Sequence, residues 1–416
     1  MSFDPLRAVR PLKSVPPKYR RRGYRHTMSW VFFGVFFGVI LGEGPFVLRQ
    51  LGGTAFQSLL FNVARGVVLL PAILWVPLVE RRNPVRLTGL VLALAGLVAV
   101  LSAFATGAMS LSLVLTGSLM LAAMHRPVLG TALEQIYPAP WRGKLISLPT
   151  TLDMLARGVV LLVAGRLLTR DLSAYRWVFP CAGLCMVIAG LLFRQIHGSR
   201  GGAQDAVSAA GRTLWHQAAA AVGRALRNRT LLVFLIGYFL VASGGVLMGN
   251  VLPLFAHDEL MLTPGQWGDA VGTYLFVMLV SFWFWGRFMD RFGAPPTMLI
   301  CWSGYGLLGA SLFFVDSWPA FLAVVAARGL FMSGNVVAFF PIVMHFTDSS
   351  ETMSGMGLHS SLWGLRWVLM PLAVIWIVDG ALFPQRYVFL VSVAMIAAGV
   401  TVMTTVWLRD RRRRGA

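Results

Sequence analysis

The chain has 416 residues, of which 57% are hydrophobic and only 12% are charged. Soluble globular proteins carry about a quarter charged residues, so this chain has too few polar side chains to cover a water-facing surface. The formal net charge of +20 comes from short basic segments between apolar runs, densest at residues 18–22 and 411–414. Such segments are usual beside membrane helices, so the composition argues against a soluble enzyme and against a nucleic-acid-binding protein.

Apolar runs of membrane-spanning length recur through the whole chain. A helix needs about 20 mostly apolar residues to cross ~30 Å of hydrocarbon. The runs are too long and too uniformly apolar for barrel strands, in which apolar and polar residues alternate. Twelve runs qualify, at residues 28–48, 56–79, 87–104, 110–133, 145–168, 177–195, 230–255, 267–288, 297–315, 319–346, 356–378 and 387–408. We therefore predict an all-α integral membrane fold with twelve transmembrane helices.

Lysine and arginine are distributed unevenly between the two sets of loops. If both termini face the cytoplasm, 26 of them lie on the cytoplasmic side and 4 on the other side. Cytoplasmic loops carry the excess of basic residues in membrane proteins. The sequence therefore predicts a multi-pass protein of the cytoplasmic membrane with both termini inside.

One long polar interruption, residues 196–229, divides the spans six and six. Its Ala- and Arg-rich stretch around Trp215 predicts a helix that lies in the cytoplasmic interface of the membrane. The predicted domains are a basic tail (1–27), an N-terminal six-helix bundle (28–195), the linker (196–229), a C-terminal six-helix bundle (230–408) and a second basic tail (409–416).

The two six-helix halves share a sequence pattern. Residues 42–45 (GEGP) in span one correspond to residues 249–253 (GNVLP) in span seven, and residues 54–57 (TAFQ) correspond to 263–266 (TPGQ). An acid–arginine pair follows the glutamine by 23 residues in the first half and by 24 in the second. This order and spacing predict two pseudo-symmetric bundles that arose from one repeated unit.

The loop after span eight carries the pattern G-x-x-x-D-R-x-G, formed by Gly286, Asp290, Arg291 and Gly293. In this position the pattern resembles the loop signature of the major facilitator superfamily. The glycine allows two helices to approach closely, while the acid can cap a helix N-terminus or pair with basic residues. We therefore expect this loop motif to stabilise one conformation and to release it in another.

The N-terminal half carries partial matches to the same superfamily. Glu80 and Arg81 keep the acid and the arginine of the loop motif, but Val76 occupies the glycine position. Arg126 and Gly130 in span four are similar to the superfamily's intramembrane arginine motif, R-x-x-x-G. The alternative is that Arg126 extends to the cytoplasmic interface. The glycine–proline signature of many drug/proton antiporters is absent from span five.

The resemblance implies a secondary transporter of bacterial type that moves a small solute by alternating access, with spans one, four, seven and ten around a central cavity. Two alternatives remain open. One is a lipid-handling protein, suggested by the 28 Phe and 14 Trp residues, and the other is a non-transporting scaffold or sensor with the same fold. A lateral opening between the bundles would favour the first alternative, and a sealed apolar interface would favour the second.

Polar residues within the spans are candidates for function, because a charge at mid-bilayer costs about 2.5–3.5 kcal/mol on insertion scales. We expect Glu43 to face the cavity as a cation ligand or proton acceptor; the alternative is a glutamate that water reaches from the outer interface. Asn250, its counterpart in span seven, binds substrate or joins two helices by a hydrogen bond. Arg126, Arg328 and Asn335 complete the predicted set for substrate or proton binding.

Asp153 and Arg157 are four residues apart in span five and therefore share a helix face. We predict a structural ion pair, with a proton relay as the alternative. Arg65 and Arg366 have no acid that the sequence places beside them, and Arg366 joins this second group as a pair or relay candidate. Because arginines outnumber acids within the spans, a cavity lined by several arginines would favour an anionic or zwitterionic solute.

Motifs for soluble chemistry are missing from the sequence. It contains no P-loop, no metal-ligand spacing and no nucleophile–base arrangement, so we expect neither enzyme activity nor a cofactor nor a metal ion. The expected partners are a small-molecule solute, protons and membrane lipids, without nucleic acid. We expect a monomer.

Overall fold

The computed structural model describes residues 15–70, 83–196, 223, 229–346 and 352–415, and all regular structure within them is helical. Apolar helices long enough to cross a membrane occur in both halves, so the predicted all-α membrane fold is confirmed. The helices, numbered to follow the predicted spans, are α1 (Pro17–Phe37, a π-helical turn Gly38–Glu43 and Gly44–Gln50), α2 (Ala55–Leu69), α3 (Pro84–Val100), α4 (Ala108–Ala123, continued by His125–Ile136), α5 (Ala139–Arg170), α6 (Tyr175–Arg194), α7 (Arg229–Asp258), α8 (Pro264–Phe292), α9 (Ala294–Leu312), α10 (Trp318–Phe346), α11 (Thr352–Asp379) and α12 (Arg386–Gly415).

Several helices are longer than the apolar runs that predicted them. Helix α1 begins at Pro17 and α12 continues to Gly415, so both extend into basic segments. Hydropathy marks only the part of a helix that lies in hydrocarbon, whereas backbone hydrogen bonds continue the helix into water. Glu80, Arg81 and the interfacial helix predicted within residues 196–229 lie outside the described residues.

The repeated T-x-x-Q segment begins the second helix of each half. At α2, the Thr54 hydroxyl accepts from the Gln57 N–H at 3.2 Å and the Gln57 side chain accepts from the Thr54 N–H at 3.0 Å. Thr263 and Gln266 form the same reciprocal pair at the start of α8, at 3.2 and 2.9 Å. This capping box satisfies two backbone donors at each helix start, so the repeat in the sequence has a matching local structure.

Helices α1–α6 and α7–α12 form two bundles, each with a large core of buried aromatic and aliphatic side chains. Within the first bundle α3 packs along α6, where Gly89 lies against the backbone of Gly190. Between the bundles α5 packs along α8, and α2 packs along α11. We call these two contacts the α5–α8 seam and the α2–α11 seam.

Both described chain ends lie on one face of the molecule, which we call the termini face. There Arg25 near the start of α1 donates to the carbonyl of Gln195 at 3.0 Å, and His345 of α10 contacts Asp410 of α12 at 3.1 Å. The other end, where α1 leads into α2 and α7 into α8, is called the opposite face.

Candidate functional site

A cavity of about 430 Å³ lies between the two bundles, near the middle of the helices. This volume lies within the range of small-molecule binding pockets. Its aromatic wall consists of Tyr238, Trp267, Tyr274, Trp302, Tyr305, Trp363 and Trp367. Its polar wall consists of Asn62, Arg65, Asn250, Arg328, Asn335 and Arg366, and no described lining residue is acidic.

Two arginines line the cavity from the C-terminal half. The Arg328 guanidinium lies 4.9 Å from the ring centre of Tyr305 and donates to the Tyr305 hydroxyl at 2.5 Å. The Arg366 guanidinium lies 5.5 Å from the ring centre of Tyr238. Both arginines are buried, and Arg328 Nε and Arg366 Nη1 have no hydrogen-bond partner. Each guanidinium therefore has one buried N–H group without a hydrogen-bond partner beside the cavity wall.

The N-terminal half adds basic side chains that stack on aromatic rings of α11. The Arg65 guanidinium lies 5.2 Å from the Trp367 ring centre, and the Arg126 guanidinium lies 4.6 Å from that of Trp363. Arg65 lines the cavity, while Arg126 is exposed beside the wall residue Trp363. Stacking an arginine on an aromatic face contributes about 0.5–2 kcal/mol, which offsets only part of the cost of a buried cation without a carboxylate partner.

Asn250 belongs to a hydrogen-bonded chain that crosses from one half to the other. Its side-chain oxygen accepts from Asn62 Nδ2 of α2 at 2.9 Å, and its own Nδ2 donates to the Val246 carbonyl at 2.7 Å. Arg65 donates to the Asn62 oxygen at 3.4 Å. Both functions expected of Asn250 are thus compatible with its position, because it joins two helices and also lines the cavity. Asn335 lines the cavity as well, and its Oδ1 has no hydrogen-bond partner.

Glu43 does not line the cavity, in contrast to the expectation from the sequence. Gly42 and Pro45, close to it in sequence, do line the cavity, so the Glu43 side chain lies on a different side of the helix. The side chain is fully buried between α5 and α8, where Gly165 and Gly268 leave room for its carboxyl group. Neither carboxyl oxygen has a hydrogen-bond partner. Glu43 is also not reached by water, so the alternative of a hydrated outer glutamate does not hold either.

Asp153 and Arg157 form the ion pair that their spacing predicts. Arg157 Nε and Nη2 donate to the two carboxylate oxygens of Asp153 at 2.8 and 2.9 Å. The guanidinium also lies 5.0 Å from the Phe37 ring centre of α1, and the Asp153 backbone lies against Gly34 of α1. This pair therefore anchors α1 to α5. Arg366, which the sequence placed in the same group, contacts Tyr238 instead.

Gly286, Asp290 and Arg291 of the predicted loop motif lie in the last turns of α8 rather than in a loop after it, and only one glycine of the motif has a clear structural role. Gly293 ends α8 with a φ of 87°, a conformation that side chains with a Cβ rarely adopt. At Gly286 a Cβ would meet no heavy atom within 4 Å, so the close helix approach expected there is not present in this conformation. Asp290 and Arg291 are exposed. Their role in stabilising a conformation stays a prediction.

The two halves meet at the opposite face through an ion pair that the sequence analysis did not predict. Arg49 of α1 donates to both carboxylate oxygens of Asp258 in α7, at distances between 2.7 and 3.0 Å. Gln385 donates to the same carboxylate at 2.6 Å, and His257 lies 2.7 Å from it. No sequence signal indicates this pair, because basic and acidic residues are common at helix ends and sequence order does not show which of them meet.

Three further contacts close the opposite face. Asp379 at the end of α11 accepts from the backbone N–H groups of Ala55 and Phe56 at 2.8 and 2.9 Å, which caps the start of α2. Arg166 of α5 donates to Asp269 of α8 at 3.1 Å. The indole N–H of Trp267 in α8 donates to the Gly42 carbonyl of α1 at 2.7 Å. The cavity is therefore closed towards the opposite face.

Comparison with known proteins finds a family model that matches part of this chain and solved structures that resemble its fold. Residues 234–416 match the family model described as Major Facilitator Superfamily. Synaptic vesicle glycoprotein 2C of Mus musculus is 27% identical over 158 residues, and the Homo sapiens protein is 26% identical over 158 residues. Each match covers 35% of this chain and 21% of the other protein, so this chain spans only a small part of the length of these relatives.

Two solved transporter structures resemble the chain over nearly its full length. One is a bacterial homologue of the human lysosomal transporter Spinster, in an inward-facing and unoccupied conformation. It has a TM-score of 0.69 at 12% identity, covering 95% of this chain and 98% of its own. The other is the nucleoside transporter NupG, with a TM-score of 0.68 at 12% identity, covering 94% and 99%. At such low identity the likeness shows the fold.

Proposed function

We propose that this chain is a membrane transporter of the major facilitator superfamily, whose family model matches residues 234–416, and that it carries a small organic anion. The observation that carries this proposal is the charge of the cavity wall. Arg65, Arg328 and Arg366 line the cavity, and no described lining residue is acidic. Arginine binds carboxylates and phosphates through charge-assisted hydrogen bonds, so a wall with three arginines suits an anionic solute.

A simple anion fits the wall better than a zwitterion does. A zwitterion also needs a partner for its cationic group, which is an acid or the face of an aromatic ring. The described wall offers no acid, and the rings of Tyr238, Tyr305 and Trp367 are already covered by arginines, so a cationic group would have only the faces of Trp267, Tyr274 and Trp302 to bind. The remaining aromatic surface, from Trp302 and Trp267, suits an apolar or aromatic body attached to the anionic group.

The proposed mechanism is alternating access, with the termini face in the cytoplasm as the bias of basic residues suggests. The conformation is then closed to the outside, because the contacts at the opposite face close the outer side of the cavity. Outward opening requires the Arg49–Asp258 and Arg166–Asp269 pairs to separate while the halves approach each other at the termini face. The exposed residues Asp290 and Arg291 of the loop motif are placed to form contacts in that second conformation.

Glu43 is the proposed site of proton coupling, although it lies in the closed outer contact and not in the cavity wall. An ionised carboxylate without a hydrogen-bond donor is costly in a buried site, so the closed state favours a bound proton there. Gly165 of α5 and Gly268 of α8 enclose the carboxyl group, and both helices must move when the outer side opens. Outward opening would then admit water and allow Glu43 to exchange its proton with the outside.

We expect Glu43→Gln to remove the dependence of uptake on a pH gradient while anion exchange continues. Glutamine keeps the size of the side chain but carries no exchangeable acid proton. The measurement is uptake of a transported anion by proteoliposomes with and without an imposed pH gradient. The matched control is Asp316→Asn, since Asp316 is an acid of the opposite face that is 74% exposed. Equal gradient dependence in the parent and in Glu43→Gln would contradict coupling at this residue.

Each of the two alternative functions predicts an interface between the halves that differs from the observed one. A scaffold or sensor would show a sealed apolar interface, whereas the observed interface encloses a cavity with three arginines and three asparagines: Arg65, Arg328, Arg366, Asn62, Asn250 and Asn335. A lipid carrier would need an apolar route from the membrane into this cavity. A second, apolar pocket on the α5–α8 seam shares no lining residue with the cavity, which favours a water-soluble solute.

The test of the proposed substrate class uses pairs of solutes that differ in charge alone. Benzoate is compared with benzamide, and succinate with succinamide, first by thermal unfolding of the purified protein and then by uptake into proteoliposomes. A ligand that binds only the folded protein stabilises it, so we expect anions to raise the unfolding temperature and neutral partners not to. Uptake and stabilisation by the neutral members of these pairs, without any effect of the anions, would overturn the proposal.

A further inference from the structure

A second, apolar cavity lies on the α5–α8 seam, outside the central site. It has a volume of about 260 Å³ and is lined by Met154, Leu155, Gly158, Val159, Leu162, Gly272, Thr273, Leu275, Phe276 and Leu279. Apart from the Thr273 hydroxyl, these side chains are apolar. We call this feature the seam groove.

Two glycines that face each other produce the depth of the groove. A Cβ placed on Gly158 of α5 would lie 3.6 Å from the Gly272 carbonyl of α8, and a Cβ on Gly272 would lie 3.2 Å from the Gly158 carbonyl. Larger residues flank them at the surface, where Val159 is 53% exposed and Phe276 is 59% exposed. In a chain that crosses the membrane at these helices, that surface is in contact with lipid. The seam groove therefore opens into the hydrocarbon.

A basic residue lies on the same helix face, nearer the termini face. Phe276, Trp283 and Arg287 are seven and four residues apart, so α8 presents them along one line. Trp283 is 62% exposed, and the Arg287 guanidinium lies 3.6 Å from its ring centre. Tryptophan and arginine at the end of a membrane helix are typical of the boundary between hydrocarbon and head groups. From Phe276 to Arg287 the helix rises about 16 Å, close to the half-thickness of ~15 Å that one acyl chain spans.

We propose that the seam groove binds one acyl chain of an anionic phospholipid from the leaflet on the termini face, with its phosphate beside Arg287. The groove supplies an apolar, lipid-facing slot at the depth where such a chain ends. Arg287 supplies the charge that selects an anionic head group over a zwitterionic one. Because the groove lies on a seam along which the two halves move, its lipid occupies a position from which it can influence the conformational equilibrium.

The first experiment locates the acyl chain in the complete protein. The protein is reconstituted in vesicles that contain phosphatidylglycerol with a diazirine on its acyl chain, and labelled peptides are mapped by mass spectrometry after illumination. We expect label on residues 154–162 and 272–280 in excess of the label around Leu307, which is 71% exposed on α9. Equal labelling of the groove and of α9, or cross-linked protein dimers through the groove, would overturn the proposal.

Two matched substitutions test the groove itself. Gly158→Leu fills it, and the Cβ has ordinary contact distances there, so we expect the groove label to fall while the label on α9 is unchanged. Gly117→Leu is the control, because Gly117 lies one turn after the lipid-facing Leu113, which is 57% exposed, and has only an ordinary contact at 3.5 Å. Groove labelling at the parent level in Gly158→Leu would contradict a bound chain in this slot.

The head-group assignment has its own test. Arg287→Gln is expected to lower the preference for phosphatidylglycerol over phosphatidylethanolamine in groove labelling by about fivefold, the effect of one basic residue near an anionic lipid. Arg411→Gln is the control, since Arg411 at the same face also stacks on a tryptophan, Trp407 at 6.0 Å. A preference that is unchanged in Arg287→Gln, or that falls equally in both variants, would overturn the role of Arg287.

Discussion

Replacing Arg328 with glutamine is expected to weaken anion binding by about tenfold to a hundredfold, and to slow uptake accordingly, without loss of folded protein. Arg328 is 4% exposed, lies in the cavity wall, and has an Nε donor without a partner. Removing a charged hydrogen-bond donor from a buried anion costs about 1.5–3 kcal/mol, which gives this range of affinity. The measurement is the concentration dependence of thermal stabilisation and of uptake, with the anion from the solute pairs that stabilises the parent most.

The same substitution has a second expected effect that a purely structural arginine would not show. A buried cation without a carboxylate partner is unfavourable in a membrane protein. Without ligand, Arg328→Gln is therefore expected to unfold at the same temperature as the parent or at a higher one. A residue that weakens stability in the free protein and strengthens ligand binding is retained for function.

A surface arginine provides the control for this prediction. Arg176 lies 5.9 Å from the ring centre of Tyr175, in the same kind of pair as Arg328 and Tyr305, but it is exposed at the opposite face. Arg176→Gln should leave binding and uptake unchanged. Parent-like binding in Arg328→Gln would contradict the proposed role, and so would a large loss of stability that accounts for the loss of uptake.

The fold was predictable from the sequence because its causes act locally. Apolar length determines where a helix crosses the membrane, and the T-x-x-Q segments at Thr54 and Thr263 start two helices through their own capping boxes. The Asp153–Arg157 pair is equally local, since one helix turn brings the two side chains together. The family resemblance was detectable for the same reason, because its loop motif is contiguous in the chain.

The site depends on contacts between distant segments, and there sequence reasoning was incomplete. Arginine content within the spans indicated a basic cavity, but not that Arg65 and Arg366 belong to it or that each stacks on an aromatic ring. Glu43 was expected in the cavity, and it lies instead in the closed contact between α5 and α8. Its helix face depends on how a π-helical turn and its neighbours pack, which one sequence does not reveal.

The Arg49–Asp258 ion pair joins the two halves at the opposite face, so its loss is expected to change the conformational equilibrium. Asp258→Asn should shift the conformational equilibrium towards the outward-open state by about fivefold to a hundredfold. Asp258 accepts from Arg49 of the other half and from Gln385, and asparagine removes the charge while keeping the shape. A charge-assisted pair of this kind contributes about 1–3 kcal/mol to the closed state, and the shift follows from that difference. Loss of the Arg49–Asp258 ion pair therefore favours the outward-open conformation, in which the two residues are separated.

The rate at which a thiol reagent reaches the cavity from the opposite face measures this shift. Gly249 lines the cavity, and a Cβ at this position would meet no heavy atom within 4 Å, so Gly249→Cys introduces a reporter without a clash. The three native cysteines, Cys181, Cys185 and Cys301, are replaced by alanine beforehand. A membrane-impermeant maleimide applied from outside should modify the reporter faster in the Asp258→Asn background than in the parent background.

The control breaks an ion pair on the same face that does not join the two halves. Asp316 lies 3.3 Å from Arg386, and both residues belong to the C-terminal half. Asp316→Asn should leave the rate of modification unchanged, because that pair is present whether the halves separate or not. Arg49→Gln should accelerate modification as much as Asp258→Asn does, and the double variant should add little, since both substitutions remove one interaction. Equal rates in Asp258→Asn and Asp316→Asn would show that the Arg49–Asp258 pair does not hold the outer side closed.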